Sequence, residues 1–349
     1  MNQLKLETSP IDIVITWVDD SDEEWKAERD RYLGEFHEVK SNLDHYFRDW
    51  DTLRYLFRGI EHNLPWVRNV HFITCGHLPK WLNTKAPKLK IHKHCDFFAE
   101  GTVQPTFSAR PIEMNFMNIP GLAEKFIYFN DDMVAIRPVN PDRFFRDGMP
   151  VDYLALDYPR GGWLYEKIRV KDPYARTVRN SIDLLNELFP LRRLFKERPE
   201  LFLDESYTDA EKRRTRLMRL LGIYKWIKVN HNPQPFLLSN LKECERLFPE
   251  RIKQTRTHRF REYSDLNQYL FRDYALMTGR FFPHYFNDDF CMVLASVERY
   301  MEERRHYQDK NFICLNDTAY LSREEYPELK KKVTEDMEAI FPHKSSFEM

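Results

Sequence analysis

The chain of 349 residues has little glycine and few cysteines, and both shortages exclude kinds of site. Its 10 glycines form neither a GxGxxG sequence nor a P-loop, so backbone cradling of a nucleotide in either of those ways is excluded. Its five cysteines are scattered, odd in number and without a CxxC pair, which argues against structural zinc and indicates a reducing compartment. The GxSxG and HExxH motifs are absent as well.

Neither a strong net charge nor a long apolar run is present. The formal net charge of −1 gives no whole-chain argument for nucleic acid as a partner. No stretch approaches the roughly 18 apolar residues of a membrane span, and residues 1–10 do not resemble a signal peptide. The composition, with 42% hydrophobic and 31% charged residues, is globular, and the 15% of aromatic residues favours ring-lined grooves. We therefore expect a soluble, cytoplasmic protein.

The N-terminal half alternates segments typical of strands with segments typical of helices. Strands separated by helices predict an α/β fold with a mostly parallel sheet. The predicted strands are Ile11–Val18, Val70–Thr74, a short one around Ile91, and Phe126–Asn130.

The chain is expected to divide into three parts. Residues 1–160 form the α/β half. Residues 161–228 are helical and basic in character, and they are predicted to be an insertion. Residues 229–349 begin near the proline-rich loop HNPQP and are expected to complete the domain that contains the site.

Three strand-like runs end in acidic residues. TWVDDSDEEW follows Ile15, YFNDDM contains Asp131 and Asp132, and CLNDT contains Asp317. If the strands are parallel, such acids gather at one edge of the sheet. Carboxylates gathered there suit Mg²⁺ or Mn²⁺, which prefer oxygen ligands and share them with phosphates.

Helix capping is the competing interpretation of these acids, because Asp and Ser are preferred capping residues. We favour capping for Asp20, Ser21 and Asp22. For Asp131 and Asp132 the two interpretations are evenly balanced.

Single basic side chains provide further candidates. Arg54 and Arg261 are of a type that matches phosphate oxygens bidentately, although any one arginine is more often a solvated surface residue. His231 stands out among the histidines because Pro233 and Pro235 restrict its loop. His94, which follows a predicted strand, is the second histidine candidate and is assigned to substrate binding.

Taken together, these segments closely resemble the Stealth family of hexose-1-phosphoryltransferases, whose bacterial members build phosphodiester-linked capsule or cell-wall polysaccharides. The resemblance covers most of the chain outside residues 161–228. Its four blocks, in order, are IDIVITWVDDSDEEW, the stretch from FRDWDTLRYLF to FIYFNDDMVAIRPV, HNPQPFLLSNLKECERLFPE with THRFREYSDL, and ICLNDT with FPHKSSFE.

The resemblance implies a fold, a reaction and a cofactor. The fold is similar to the Rossmann-like domain of type A glycosyltransferases, with a helical insertion. An acceptor hydroxyl attacks the phosphorus that bears the sugar of a UDP-sugar, hexose and phosphate move together, and UMP leaves. The acceptor is a saccharide, and one form of the hypothesis has this saccharide attached to a lipid. The cation is Mg²⁺ or Mn²⁺. The rival interpretations are a metal-dependent type A glycosyltransferase that releases UDP and a non-catalytic carbohydrate- or nucleotide-binding protein.

The resemblance also assigns residues by position. His231 takes the acceptor proton or attacks phosphorus itself, and the sequence leaves both roles open. The catalytic residues are Glu113, Asp132, His231 and Arg261; the metal ligands are Asp131, Asp132 and Asp317; the residues assigned to the substrate are Trp17, Val18, Asp19, Asp49 and Arg54.

Residues 211–228 suggest a separate hypothesis about the membrane. The segment EKRRTRLMRLLGIYKWIK mixes basic residues with leucine, isoleucine and aromatic residues, as interfacial helices do. Such a helix would dock the protein peripherally on the anionic inner face of the plasma membrane. A helix packed on the core with a solvated basic face explains the same pattern.

Overall fold

The computed structural model describes residues 9–19, 21–34, 48, 50–160, 167, 173–318 and 320–349. The strands of these ranges are β1 Ile11–Thr16, β2 Val70–Thr74, β3 Leu89–Lys93, β4 Lys125–Asn130, β5 Met133–Ala135, β6 Phe145–Arg146, β7 Met149–Asp152, β8 Gln234–Leu237, β9 Phe282–Pro283, β10 Asp289–Leu294 and β11 Phe312–Asp317. The α-helices are α1 Glu23–Leu33, α2 Leu53–Asn63, α3 Ala109–Glu113, α4 Pro173–Asn186, α5 Leu191–Glu197, α6 Glu200–Leu203, α7 Asp209–Met218, α8 Leu238–Leu247, α9 Pro249–Arg256, α10 Tyr269–Met277, α11 Val297–Glu303 and α12 Tyr326–Ile340.

The fold is α/β, as predicted, but its sheets are mixed rather than mostly parallel. The central sheet has the order β3-β2-β1-β4-β8, in which β8 runs antiparallel to β4 and the other pairs are parallel. β8 contains Pro235, which lacks a backbone N–H, and it accordingly lies at an edge. The second sheet, β10-β11-β5, joins one parallel and one antiparallel pair, and the third, β6-β7-β9, does the same.

Alternating side chains of the central strands separate two hydrophobic cores. Ile127 and Phe129 of β4 face the first core, whereas Phe126 and Tyr128 face the second, because successive side chains of a strand point to opposite faces. The first core includes residues of α2, the second sheet and α12, and the second core includes residues of α4, α8 and α10. The central sheet is therefore covered on both faces, and its ends remain for a site.

A buried ion cluster secures the amino end of β1. The Asp12 carboxylate accepts hydrogen bonds from Arg68 Nε at 2.8 Å and from the backbone N–H of Ala123 at 2.8 Å, and it lies 3.1 Å from His71 Nε2. Burial alone would raise the pKa of Asp12, but these partners lower it to about 2. Asp12 thus ties β1 to two connecting segments.

Capping explains part of the acidic stretch after β1. Asp22 is the N-cap of α1, and its carboxylate accepts a hydrogen bond from the backbone N–H of Trp25 at 2.9 Å. The capping role predicted for Asp22 is confirmed, while Asp20 lies outside the described residues.

Helices α4 to α7 lie within the segment predicted to be an insertion. Val178, Ile182 and Leu185 of α4 are buried in the second core, so this helix is part of the packed body of the protein. The division of the chain into three parts stays a prediction. Across the described ranges, no helix combines the length and the apolar character that a membrane crossing requires.

Candidate active site

A cavity of about 380 Å³ opens at the carboxyl edge of the central sheet. Each of the four parallel strands reaches it at or just beyond its last residue, through Thr16, Cys75, His94 and Asn130. The strand order reverses direction between β1 and β4, and open α/β sheets bind ligands at such a point. The second sheet contributes Asp317, the last residue of β11. The topology therefore brings together side chains that are far apart in the sequence.

Asp131 and Asp132 form the turn that leads the chain from the central sheet into the second sheet. The backbone N–H of Leu315 in β11 donates a hydrogen bond to the carbonyl oxygen of Asp132 at 2.8 Å, which fixes this turn against β11. Both aspartates line the cavity. The structure thus places the predicted acids at the junction of two sheets, and Asp132 caps no helix of the described chain.

The carboxylate of Asp132 has two oxygens in different surroundings. Its Oδ2 lies 3.4 Å from His231 Nε2 and accepts a hydrogen bond from the Cys314 thiol, with Sγ at 3.1 Å. Its Oδ1 is buried and has no hydrogen-bond partner within the described part of the chain. Because a buried carboxylate oxygen without a partner is costly, Oδ1 is a natural place for a cation.

His231 reaches the cavity because of the antiparallel edge strand. Gln234 of β8 pairs with Tyr128 of β4, so β8 begins where β4 ends and the loop before it lies beside Asp132. Burial lowers the pKa of His231, but the neighbouring Asp132 carboxylate outweighs that effect and raises the pKa to about 9.

Glu113, at the end of α3, is a buried acid on the cavity wall. Its Oε2 accepts a hydrogen bond from the backbone N–H of Gln268 at 2.8 Å. Burial raises the pKa of Glu113 to about 7, although the Gln268 N–H and the guanidinium groups of Arg110 and Arg261 favour the ionised form. Glu113 therefore titrates near neutral pH, which suits proton transfer.

Asp317 lines the same cavity but is held by protein partners. It accepts a hydrogen bond from Trp50 Nε1 at 3.0 Å and lies 3.2 Å from Arg48 Nε. Burial raises its pKa, and these two partners offset part of that effect. Among the described residues, the group whose ligand atoms all lie within 4.8 Å of one another is Asp132, His231 and Cys314, and Asp317 does not belong to it.

The residues assigned to the substrate are partly brought together. Trp17 and Val18, directly after β1, line the cavity, and so does His94, whose pKa burial lowers to about 4. Arg261, which is assigned to catalysis, lines it too. Neutral His94 can accept or donate a hydrogen bond without carrying charge.

Two of the assigned residues lie elsewhere. Asp19 is not among the residues that line the cavity: its carboxylate accepts hydrogen bonds from Ser21, and its backbone N–H donates to His77 Nε2 at 2.8 Å. The Arg54 guanidinium lies over the ring of Trp81, 5.5 Å from its centre, and does not line the cavity. Asp49 lies outside the described residues.

Sequence reasoning missed several residues of the cavity. The aromatic content did point to a ring-lined groove, but apart from Trp17, which the family resemblance assigned to the substrate, no pattern identified the individual rings. Cys314 and Cys291 were treated as scattered, yet they are direct partners across the parallel pair β11 and β10. No sequence spacing predicts that contact, because it depends on the strand pairing. The rings that line the cavity are those of Trp17, Trp25, Trp50, Phe107, Tyr128 and Tyr174.

The donor set on one side of the cavity fits a hard divalent cation. Oδ1 of Asp132 has no hydrogen-bond partner among the described residues, and Asn130, Asp131 and Asn316 offer further oxygen atoms around the cavity. Mg²⁺ and Mn²⁺ prefer carboxylate, carbonyl and water oxygens. These residues could therefore hold such a cation next to a bound diphosphate.

Comparison with known proteins identifies the family of this chain. Three family models match: Stealth protein CR1, conserved region 1, over residues 9–36; CR2, conserved region 2, over 46–151; and CR3, conserved region 3, over 230–271. These regions contain Trp17, Glu113, Asp132, His231 and Arg261.

Curated relatives match over nearly the whole chain. The capsular polysaccharide phosphotransferase WcwK of Streptococcus pneumoniae is 29% identical over 342 residues, covering 97% of this chain and 98% of its own. The receptor polysaccharide phosphotransferase WefC of Streptococcus oralis is 30% identical, covering 97% and 99%. An exopolysaccharide phosphotransferase of Streptomyces coelicolor is 32% identical, covering 88% of this chain and 47% of its own length.

Solved structures show only a distant likeness. The apo structure of the bifunctional glycosyltransferase WbbM has a TM-score of 0.37 at 11% identity, covering 97% of this chain and 53% of that chain. Mouse xyloside xylosyltransferase 1 has a TM-score of 0.34 at 12% identity, covering 88% and 98%. Scores this low support no functional conclusion. The family models and the full-length relatives lead to a single identification: the chain belongs to the Stealth family, and it is an enzyme of the phosphotransferase class.

Proposed function

We propose that this enzyme transfers hexose-1-phosphate from a UDP-sugar to a hydroxyl group of a saccharide acceptor, releases UMP and forms a phosphodiester of a capsule or other cell-surface polysaccharide. One observation carries the proposal: a single cavity at the carboxyl edge of the sheet is lined by Glu113, Asp132, His231 and Arg261. A binding protein without turnover needs no such combination of acids, imidazole and guanidinium.

The chemistry requires one bond to form and one to break. The acceptor oxygen bonds to the phosphorus that carries the sugar, the bond from that phosphorus to the oxygen of UMP breaks, and UMP leaves. Phosphoryl transfer depends mainly on in-line positioning and on neutralising negative charge. Arg261 would hold a non-bridging phosphate oxygen, since guanidinium matches phosphate geometry.

A divalent cation, Mg²⁺ or Mn²⁺, would complete the site. Asp132 and Asp131 would hold it, and when bound it would supply positive charge to the diphosphate. Asp317, already engaged by Arg48 and Trp50, would shape the cavity wall from the opposite sheet. Trp17 and its aromatic neighbours would stack on the uracil and sugar rings.

Two roles fit His231, and one experiment separates them. As a general base it takes the proton of the acceptor hydroxyl, whereas as a nucleophile it forms a covalent phosphoramidate that the acceptor then attacks. Both roles need the neutral imidazole, which a cation on Asp132 would favour by offsetting the carboxylate charge that raises the pKa of His231. Incubation with UDP-sugar that is radiolabelled in the sugar, without acceptor, followed by an alkaline quench traps label on the protein only in the second case. His231→Ala should abolish transfer while retaining UDP-sugar binding.

The decisive experiment follows the nucleotide product. The purified protein is incubated with a panel of UDP-hexoses, Mg²⁺ or Mn²⁺ and a saccharide acceptor, and the products are separated by chromatography. UMP release supports the proposal. UDP release would instead identify a type A glycosyltransferase, which uses the same donor and breaks the bond between sugar and oxygen. Donor binding without turnover would identify a binding protein.

The proposal includes a lipid-linked acceptor and peripheral contact with an anionic membrane at the cytoplasmic face. Part of the segment 211–228 supports this contact, because Leu217, Leu220, Leu221 and Ile223 are exposed between basic side chains. Leu220 is 71% exposed, which is unusual for a large apolar residue. The exposed basic residues beside them are Arg213, Arg216 and Arg219.

The segment does not form one continuous interfacial helix. α7 ends at Met218, a 3-10 turn follows at Arg219–Leu221, and Tyr224 and Trp226 are buried in the second core. The aromatic residues of the segment therefore anchor it to the protein, and the four exposed apolar residues, Leu217, Leu220, Leu221 and Ile223, face outward.

Vesicle flotation tests the membrane contact. The wild-type protein should float with vesicles that contain anionic lipid, less at high salt, and should not float with neutral vesicles. The double variant Leu220→Ser/Leu221→Ser should lose flotation, whereas Met301→Ser, an exposed methionine on α11, should keep it. Salt-independent flotation, or none, would refute the contact.

A further inference from the structure

One side of the Asp132 carboxylate faces sulfur and nitrogen. Asp132 Oδ2 lies 3.1 Å from Cys314 Sγ and 3.4 Å from His231 Nε2, and the ligand atoms of these three residues all lie within 4.8 Å of one another. Around tetrahedral zinc, bonds of about 2.0–2.3 Å place neighbouring ligand atoms about 3.3–3.8 Å apart. The spacing observed here is close to that geometry before any cation is bound.

Three separate parts of the fold hold these ligands in place. Asp132 lies in the turn between β4 and β5, His231 lies in the loop before β8, and Cys314 lies in the middle of β11. Cys291 lies opposite Cys314 on β10. Because paired strands hold Cys314 and flank the turn of Asp132 and the loop of His231, little conformational freedom would be lost when a cation binds.

We propose that Asp132, His231 and Cys314 form a binding site for a thiophilic divalent cation, of which Zn²⁺ is the typical example, and that occupation of this site inhibits the enzyme. The binding depends only on these three side chains. The inhibition rests on the proposed function, in which Asp132 and His231 act on the substrate.

The ligand chemistry separates this site from the one proposed for Mg²⁺ or Mn²⁺. A thiolate, an imidazole and one carboxylate oxygen suit Zn²⁺, whereas Mg²⁺ prefers oxygen alone. Zn²⁺ would use Oδ2 of Asp132, which faces the sulfur and the imidazole, and the hard cation would use Oδ1, which has no partner in the described chain. The two cations would thus compete through the same carboxylate from opposite sides.

Binding would replace two protons and withdraw a catalytic group. The Cys314 thiol, which donates a hydrogen bond to Asp132, and the protonated imidazole of His231 would each lose a proton to solvent as the bonds from the metal to sulfur and to nitrogen form, and water would fill the fourth position. His231 Nε2 would then be committed to the metal, and it could neither take a proton from the acceptor nor attack phosphorus.

The binding is tested without reference to activity, by titrating the purified full-length protein with Co²⁺ in the absence of Mg²⁺. Wild-type protein should take up one equivalent, with a sulfur-to-cobalt charge-transfer band and the visible bands of tetrahedral cobalt, and Zn²⁺ should displace both. Cys314→Ala should lose the charge-transfer band, and Cys95→Ser, which changes an exposed cysteine away from the cluster, should keep it. A wild-type protein without this band would overturn the proposal even if Cys314→Ala failed to fold, and so would a band that survives in folded Cys314→Ala.

The inhibition is tested by UMP release in Mg²⁺ as Zn²⁺ is added. Zn²⁺ should inhibit wild-type enzyme reversibly, with activity restored by a chelator and fresh Mg²⁺. Cys314→Ala, measured relative to its own activity, should need at least about 10-fold more Zn²⁺ for half-inhibition, since it lacks a metal ligand. A cobalt band in a protein that releases no UMP would refute the proposed function and leave the metal site standing, whereas UMP release without a band would refute the metal site alone.

Discussion

Two aspartates at opposite edges of the central sheet, the buried Asp12 and the partly buried Asp132, have opposite surroundings. Asp12, near the amino end of β1, has hydrogen-bond partners on both oxygens, supplied by Arg68, His71 and a backbone N–H. Asp132, just beyond the carboxyl end of β4, has partners on Oδ2 while Oδ1 has none within the described chain. Both oxygens of Asp12 are therefore paired within the protein, whereas one oxygen of Asp132, beside the cavity, has no partner within the described chain.

The difference supports a structural role for Asp12 and the functional role proposed for Asp132. Burying a carboxylate is costly, and the cost is recovered only when its oxygens are paired. The pairing at Asp12 is complete and stabilises the fold, whereas the pairing at Asp132 can be completed by a cation or substrate. Substitutions at the two positions should therefore affect different measurements.

The largest effect is expected for Asp132→Asn. The change removes the negative charge that would hold the cation, and we expect UMP release to fall about 10³-fold or more. The fall in melting temperature should be smaller than for Asp12→Ala, because Asn keeps the shape of the side chain and only the partly exposed ion pair with His231 is lost. Near-wild-type turnover in this variant would contradict the role assigned to Asp132.

Asp12→Ala should have the reverse effect. Removing one partner of a buried ion cluster costs about 3–5 kcal/mol of unfolding free energy, because Arg68 and His71 lose their carboxylate. The folded fraction should keep its specific activity, since Asp12 is remote from the cavity lining. Urea unfolding and an activity assay on the same samples measure both quantities.

Acid unfolding provides an independent check at Asp12. Its pKa of about 2 in the folded protein lies below the value of about 3.9 in an unfolded chain. Its contribution is therefore present above about pH 4 and is lost as the pH falls toward 2. The stability difference between wild type and Asp12→Ala should shrink over this range, and a constant difference would show that the carboxylate charge is not its source.

A smaller effect is expected for Glu113→Gln, and it should depend on pH with the opposite sign. The pKa of Glu113 is raised to about 7 from an unfolded value of about 4.3, so its favourable contribution is present below about pH 4 and is lost as the pH rises through 7. At pH 8 the variant should be more stable than wild type by about 1–3 kcal/mol, and near pH 4 the two should be equal. Urea unfolding at both pH values tests this, and a pH-independent difference would exclude ionisation of Glu113 as the cause.

The smallest effect is expected for Asp22→Ala, after the strand that neighbours β4. Loss of the N-cap hydrogen bond to Trp25 should cost about 1 kcal/mol, and UMP release should stay at the wild-type level. Thermal unfolding and the activity assay check the two parts. A large loss of activity would mean that this acidic stretch belongs to the site after all.

The strands could be predicted well from the sequence, because they follow from local patterns: apolar runs predicted β1, β2 and β4. Asp132 and Asp317 do line one cavity, but not through the parallel pairing that was expected. Asp317 lies in the second sheet, and the antiparallel pairing of β11 with β5, the strand that follows Asp132, brings the two acids together. The mixed sheets were not predictable, since strand direction at an edge depends on how the chain returns. The contact between Cys314 and Asp132 has the same origin, because it exists only through the pairing of β11 with β5.

The contacts that individual charged side chains make could not be predicted from the sequence either. Asp317 is engaged by Arg48 and Trp50, and Arg54 lies over Trp81. Each of these contacts is decided by packing between elements that lie far apart in the chain. An arginine or an acid of suitable type can be recognised from sequence, but the group that it faces cannot.

The antiparallel pairing of β8 with β4 places His231 near Asp132. Because Tyr128 pairs with Gln234, the distance between Asp132 and His231 depends on this pairing and not on the length of the chain between them. Helices α4 to α7 lie in that interval, and the exposed part of α7 with the turn after it could be lengthened or exchanged without altering this spacing, provided that the pairing of Tyr128 with Gln234 and the buried face of α4 are preserved. The surface of the interval can therefore vary while its core and the proposed catalytic residues keep their positions.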